Sequence, residues 1–368
     1  MSPWKYWDDK RLILRCCFSD GYNLLGRFAI ALMDQTMPSE LPIWARDLPL
    51  LLAEVYAKTG STLADSDKRL FDLVEWVMRL PTRNPRRVHI SDSLDGRILT
   101  PYERKGIQRL VKVLKYGGDL RPFLGKSTLA IRNRKKETRR KMSGHDLFFS
   151  DWGLLHFHLG ADFANTGKHV SRTWRVLIAR LTEADAYLLD VAAHGKGFAD
   201  VWGNKAFLEI LQRNWPDTIE SYRIRGAIAC TFDQPIEPMH YVQLREAGIT
   251  AHIEINGSVF MTPGMGIATD RTSIRAVQTA QNIQQELGAI ETQFREQSPD
   301  DDAVLFVRAD ASVGFFIPDS NVAHSYLPAR NRNHITPRFF NRLIQESGIL
   351  SGAPEDTIWV PADNKAAR

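Results

Sequence analysis

The sequence predicts an α+β fold, with a helical N-terminal region followed by a mixed region of antiparallel β-hairpins and flanking helices. Three observations predict it. Up to about residue 115, apolar residues recur at three- and four-residue spacing, the period of an amphipathic helix. In Arg172 to Leu181 and Ala186 to Gly195 the period becomes two, the period of strands. Asn256-Gly257, between two short apolar runs, is the strongest two-residue hairpin signal in the chain.

The N-terminal helices follow in order. In YNLLGRFAIALMDQ, Leu24, Leu25, Phe28, Ala29 and Leu32 share a face. LPLLLAEVYAKTG repeats the pattern and stops at Gly60, a residue suited to ending a helix. ADSDKRLFDLVEWVMRLP offers Asp65 or Ser66 as N-cap and Pro81 as stop. TPYERKGIQRLVKVLKYGG has Thr100 as cap, Pro101 at the first helical position and a glycine pair at its end. Together these give a helical domain over 1–116.

Residues 117–150 form a basic linker or binding segment. Eight Lys and Arg lie between Lys126 and Lys141, against the single acid Glu137. Two readings stay open: a solvated surface, or a phosphate-contacting patch of Arg132, Arg134, Lys135, Lys136, Arg139, Arg140 and Lys141.

The hairpin core spans 151–218. Val176 and Ile178, with Trp174 beside them, face one side of the first strand, while Arg175, Leu177 and Ala179 face the other. TEAD turns the chain into the second strand, and a helix over Asn204 to Trp215, capped by Asn204 and closed by Pro216, follows. The C-terminal α+β domain, 219–362, holds strands in SYRIRGAIACTF, HYVQLREAGITAHIEI and SVFMTP. Next come a glycine-containing loop, a long amphipathic helix from Thr272 or Ser273, strands in AVLFVRAD and VGFFIPD, and a last helix over 337–347. The tail, 363–368, is expected to fray.

Composition bounds the function. The 368 residues are 43% hydrophobic and 25% charged, as in ordinary globular proteins. A net charge of +5 suits a nucleic-acid partner. Cys16, Cys17 and Cys230 form no CxxC, which disfavours a disulfide framework or thiolate zinc site and suits a reducing cytoplasm. No secretory signal and no continuous apolar run of membrane-spanning length is read, so no membrane is expected. The loop TPGMGIATDRTS lacks GK[ST] and GxGxxG, which excludes a P-loop, and no GxSxG or kinase set occurs.

The chemistry lies in the hairpin. DWGLLHFHLG places His156 and His158 on one strand face, about 6–7 Å apart. Arg172, Arg175 and Arg180 follow, then Tyr187 to Val191 and His194-Gly195-Lys196. Over residues 152–197 this order resembles the core of RelE-type bacterial toxin ribonucleases. His158 stands where their turn has leucine, loop 161–171 is longer, and a helix follows the hairpin.

The resemblance implies metal-independent RNA cleavage, in a protein of toxin or phage-defence type, with no cofactor. His156, His158, Arg175, His194 and Lys196 would be catalytic, and Arg172 and Arg180 would hold nucleic acid. Histidine titrates near neutrality and suits acid–base work; the arginine fork suits phosphate. Alternation sets Arg175 and Arg180 on opposite faces, so the arginines cannot all serve one site. Other readings stay open. The chain could be a non-enzymatic accessory protein binding nucleic acid or a protein partner. His156 and His158 could hold a metal with Asp190 or His194. They could also be structural, bonded to Asp151 or Asp190.

Overall fold

The computed structural model describes residues 41–137, 145–164, 167–227, 236–299, 301–327 and 334–361. The helix expected near Leu24 to Leu32, all three cysteines, Arg139, Arg140, Lys141 and the tail 363–368 lie outside the described residues.

Helices α1 (Ile43–Thr59) and α2 (Ser66–Arg79) are followed by strand β1 (Arg87–Ile90). The short α3 (Asp92–Asp95), α4 (Pro101–Tyr116) and the single turn α5 (Lys126–Leu129) come next. Helix α6 (Leu147–Trp152) leads into β2 (Leu155–His158), β3 (Arg175–Leu181) and β4 (Asp185–Ala193). Then come α7 (Ala206–Asn214), α8 (Asp217–Glu220), α9 (Pro238–Glu246), β5 (Ile253–Ile255) and β6 (Ser258–Phe260). The chain continues through α10 (Ile274–Gln297), β7 (Val304–Arg308), β8 (Val313–Ile317), β9 (Val322–Leu327), α11 (Ile335–Ser347) and β10 (Ile358–Trp359). The fold is α+β, as expected.

Local signals placed several elements well. Gly60 and Gly117 end α1 and α4 in the left-handed conformation, at φ 65° and 72°. Thr100 Oγ1 accepts the Glu103 amide at 3.2 Å and Glu103 accepts the Thr100 amide at 2.9 Å, a complete capping box. Asn256 and Gly257 both have positive φ, as a tight hairpin turn requires.

Other expectations are corrected. HYVQLRE, read as strand, lies within α9: Pro238 takes the first helical position and Tyr241 and Arg245, four apart, face inward. Residues 221–227, also read as strand, make turns and one bridge, Arg223 to Phe260. Strand β1, inside the region read as helical, pairs in parallel with β4. Strands β9 and β10 were not anticipated either; β10 has two residues, too few to show a period.

The N-terminal helices divide between two cores. α1 and α2 pack with α10, α11 and one face of the sheet β10-β7-β8-β9. α4 packs on the sheet β1-β4-β3-β2, burying Leu110 and Leu114 against Leu177, Ala179 and Leu188. The other face of that sheet, with Val176, Ile178 and Leu189, meets Trp152, Phe207 and Leu211. At about 2 kcal/mol for each fully buried large aliphatic side chain, this two-sided burial holds β3 and β4 in place, with Val176 paired to Ala192 and Leu177 to Val191.

That register orients β2. Leu155 and Phe157 enter the α4 side, so His156 and His158 fall on the opposite face. The end of β2 lies so close to α4 that a Cβ on Gly106 would stand 1.9 Å from the Leu159 carbonyl oxygen. Gly to Ala inside a helix ordinarily stabilises by about 1 kcal/mol. Gly106→Ala is expected to do the reverse, destabilising by about 1–3 kcal/mol through overpacking, which denaturant unfolding monitored by circular dichroism would read.

Candidate active site

A cavity of about 440 Å³ opens at the end of β2, within the range of about 300–1,000 Å³ usual for small-ligand sites. His156, His158, His194, Arg172, Lys126 and Trp202 line it. The strand period brings the first two together, with ring centres 6.2 Å apart. β4 delivers the third: the amide of His194 donates to the Trp174 carbonyl at 3.2 Å, continuing the β3–β4 ladder. The His194 ring centre lies 5.1 Å from that of His158 and 6.5 Å from that of His156. Gly195 and Gly197, at φ 113° and 91°, then turn the chain away.

The inner wall is built around His156. Its Nδ1 lies 3.9 Å from Asp146 Oδ2. Asp146 caps α6 by accepting the Phe149 amide at 3.1 Å, and accepts the Thr128 hydroxyl at 2.9 Å. Trp202 packs 4.9 Å from the His156 ring. Gly125 leaves room on the other side, since a Cβ there would stand 3.1 Å from His156 Nε2.

Burial favours the neutral imidazole in both β2 histidines. It lowers the pKa of His156, against the pull of Asp146 and helped by His194. It pushes His158 down to about 3, with His156, His194 and Arg172 adding repulsion. Both rings are therefore neutral at neutral pH.

The carboxylates expected beside the histidines are engaged elsewhere. Asp151 Oδ2 accepts Arg245 Nε at 2.5 Å, and Asp190 accepts Arg97 Nε at 2.8 Å. Among the described residues, no group of His, Cys, Asp and Glu is arranged to hold a metal ion.

The expected site residues separate into two sets. His156, His158, His194 and Arg172 converge. Arg175 does not: it projects to the α4 side, where its Nε donates to Glu103 at 2.7 Å. Lys196 is exposed in the glycine turn, outside the cavity lining. Arg180 lies over the Tyr222 ring at 5.4 Å, toward the far end of β3. Arg132 is buried and donates to Glu137 and Thr272 at 2.9 Å and to the Asp270 carbonyl at 2.7 Å. Arg134 pairs with Asp72 at 2.6 Å and Asp270 at 3.1 Å. Lys135 and Lys136 are exposed. The described part of the basic segment is therefore not one cationic face.

Lys126, Asp146, Trp202 and Gly125 were not anticipated as site residues. Asp146 had a readable signal, an Asp three residues before the Phe149 amide it caps. Trp202 had none, because its place depends on the turn after β4. Comparison with models of protein families, with curated proteins and with solved structures finds no match.

The lowered His158 pKa has a consequence for stability. Below about pH 6.5 the unfolded chain protonates this histidine while the folded chain resists down to about 3, so stability falls as pH drops through that window. From pH 7 to pH 5 the wild type is expected to lose about 2 kcal/mol more than His158→Gln, measured by urea unfolding at each pH. Equal losses would show that His158 titrates normally.

Proposed function

We propose that this cavity is the active site of a ribonuclease of toxin or phage-defence type that cleaves RNA without a metal cofactor, in the cytoplasm. One observation carries the reading: His156 and His158 from β2 and His194 from the end of β4 converge with Arg172 and Lys126 in one cavity. The resemblance of the hairpin to RelE-type toxins points the same way.

The residues suit transesterification. A 2′-hydroxyl attacks the adjacent phosphorus as a neutral histidine accepts its proton. The bond to the 5′ oxygen breaks, and that oxygen takes a proton from a second histidine, leaving a 2′,3′-cyclic phosphate and a 5′-hydroxyl. His158 fits the base, since it is neutral. An incoming phosphodiester is anionic and opposes the shift imposed by burial, so basicity rises where substrate sits. His194, 5.1 Å from His158 ring to ring, is placed for the acid. Arg172 and Lys126 supply the cations that offset charge on the phosphorane. Arg175 has no part, because Glu103 holds it on the other face of the sheet.

Purified protein is expected to cleave total RNA or ribosome-bound RNA, with cleavage surviving EDTA and 2′,3′-cyclic ends appearing in the product. His158→Ala and His194→Ala should each lower the rate by about 100- to 10,000-fold. Gly125→Ala, by crowding His156, should also lower it while leaving the fold intact. Loss of cleavage in EDTA would favour a metal centre instead. Salt-dependent RNA binding without turnover would favour the accessory, non-enzymatic role.

A further inference from the structure

Trp174 is a large aromatic residue that the fold leaves uncovered. It is 64% exposed, although Val176 and Ile178, further along the same face of β3, are fully buried. An exposed indole at the edge of a concave site is informative, where scattered small apolar residues are not.

Its position is fixed by the sheet. The Trp174 carbonyl accepts both the backbone amide of His194, at 3.2 Å, and the His194 ring nitrogen Nδ1, at 3.3 Å. Arg175 pairs with Ala193, so Trp174 stands directly across from His194, with its side chain on the same face. That face also carries His156 and His158. Trp174 is thus one step further out than His158, beside the cavity rim.

Two contacts hold the segment still. Thr173 Oγ1 accepts the Leu159 amide at 3.1 Å and donates to the Arg175 carbonyl at 2.6 Å. Gly160 lets Ser171 approach so closely that a Cβ on Gly160 would lie 2.2 Å from the Ser171 carbonyl oxygen. The indole is also propped from one side. Phe198, brought back by the glycine turn, meets it nearly perpendicularly, with ring centres 4.7 Å apart and planes at 80°. Gly195 and Ala199, which flank that turn, line the cavity itself.

We propose that Trp174 is a stacking platform for an unpaired nucleobase next to the phosphate held in the cavity, making the substrate single-stranded RNA. The proposal rests on the ribonuclease reading for the identity of the cavity's occupant. The chemistry is specific. A flat, propped, solvent-facing indole beside a pocket with Arg172 and Lys126 offers a base its π-face and the backbone its cations, the combination that single strands require. A base inside a duplex is stacked on its neighbours and cannot reach the platform. Every base has a π-face, so the platform selects strandedness rather than sequence.

The test uses the full chain and a fluorescein-labelled RNA decamer with 2′-O-methyl riboses, which removes the nucleophile and prevents cleavage. Fluorescence anisotropy gives Kd for the single strand and for the matched duplex. Trp174→Ala and Trp174→Leu are expected to weaken single-strand binding about 5- to 150-fold, the range for losing one stacked base. Trp174→Phe, which keeps a flat ring, should retain most of the affinity. Unchanged affinity in Trp174→Ala, or a duplex bound as tightly as the single strand, would overturn the platform. If unmodified RNA is still cleaved in that case, the ribonuclease reading stands alone. Trp174-dependent binding with no cleavage of unmodified RNA would keep the platform and remove the ribonuclease. Wild-type protein that binds neither RNA would overturn both.

Discussion

One buried ion pair holds the walls of the cavity together. Arg245 on α9 donates to Asp151 on α6 and to the carbonyl of Trp202, and its guanidinium lies 4.1 Å over the Trp152 ring. Three separate segments meet at this one side chain. Burial raises the pKa of Asp151 and lowers that of Arg245, and in both it outweighs the attraction between them. Such a pair adds little net stability, yet losing one partner strands the other charge at a cost of about 3–5 kcal/mol. Its value is geometric: the same guanidinium holds the carbonyl of Trp202, which packs on His156.

The second constraint is the two-sided burial of β3 and β4. Because apolar layers cover both faces, polar side chains are admitted only where a partner waits or where the strands end. Arg175 meets Glu103, which also caps α4, so a single carboxylate joins a helix start to a strand. Asp190 meets Arg97. The histidines take the remaining option, the strand ends, where apolar cover stops and the cavity begins. Burial keeps the His156 and His158 rings neutral, the state a base must have before it takes a proton.

Two arginines of the basic segment are held by internal partners. Arg132, Arg134, Asp72, Asp270, Glu137 and Thr272 form one network between the basic segment, α2 and the loop before α10. His145, on the cavity lining with its side chain enclosed, lies 3.4 Å from Glu75 and 3.2 Å from Glu137 and extends it. Arginines that read as a nucleic-acid patch thus anchor the loop that starts the longest helix among the described residues. Lys126 and Arg172, on the cavity lining, remain for a ligand.

By itself the sequence determined what depends on neighbours within a few residues. The helices of 48–59, 66–79 and 101–116, the caps Thr100, Gly60 and Gly117, the Asn256-Gly257 turn and the β3–β4 hairpin all express local periodicity and backbone preference. The shared face of His156 and His158 follows from the strand period alone. Tertiary structure decided everything that turned on a distant partner. HYVQLRE, read as strand, lies in a helix whose Arg245 finds Asp151, 94 residues away. Arg87 to Ile90 became strand because β4, about a hundred residues on, offers its edge. Arg175 left the site because a carboxylate on α4 claimed it. A local pattern states which face a side chain takes; what covers that face, and whether a charge there meets an ion or a ligand, is settled only when remote segments pack.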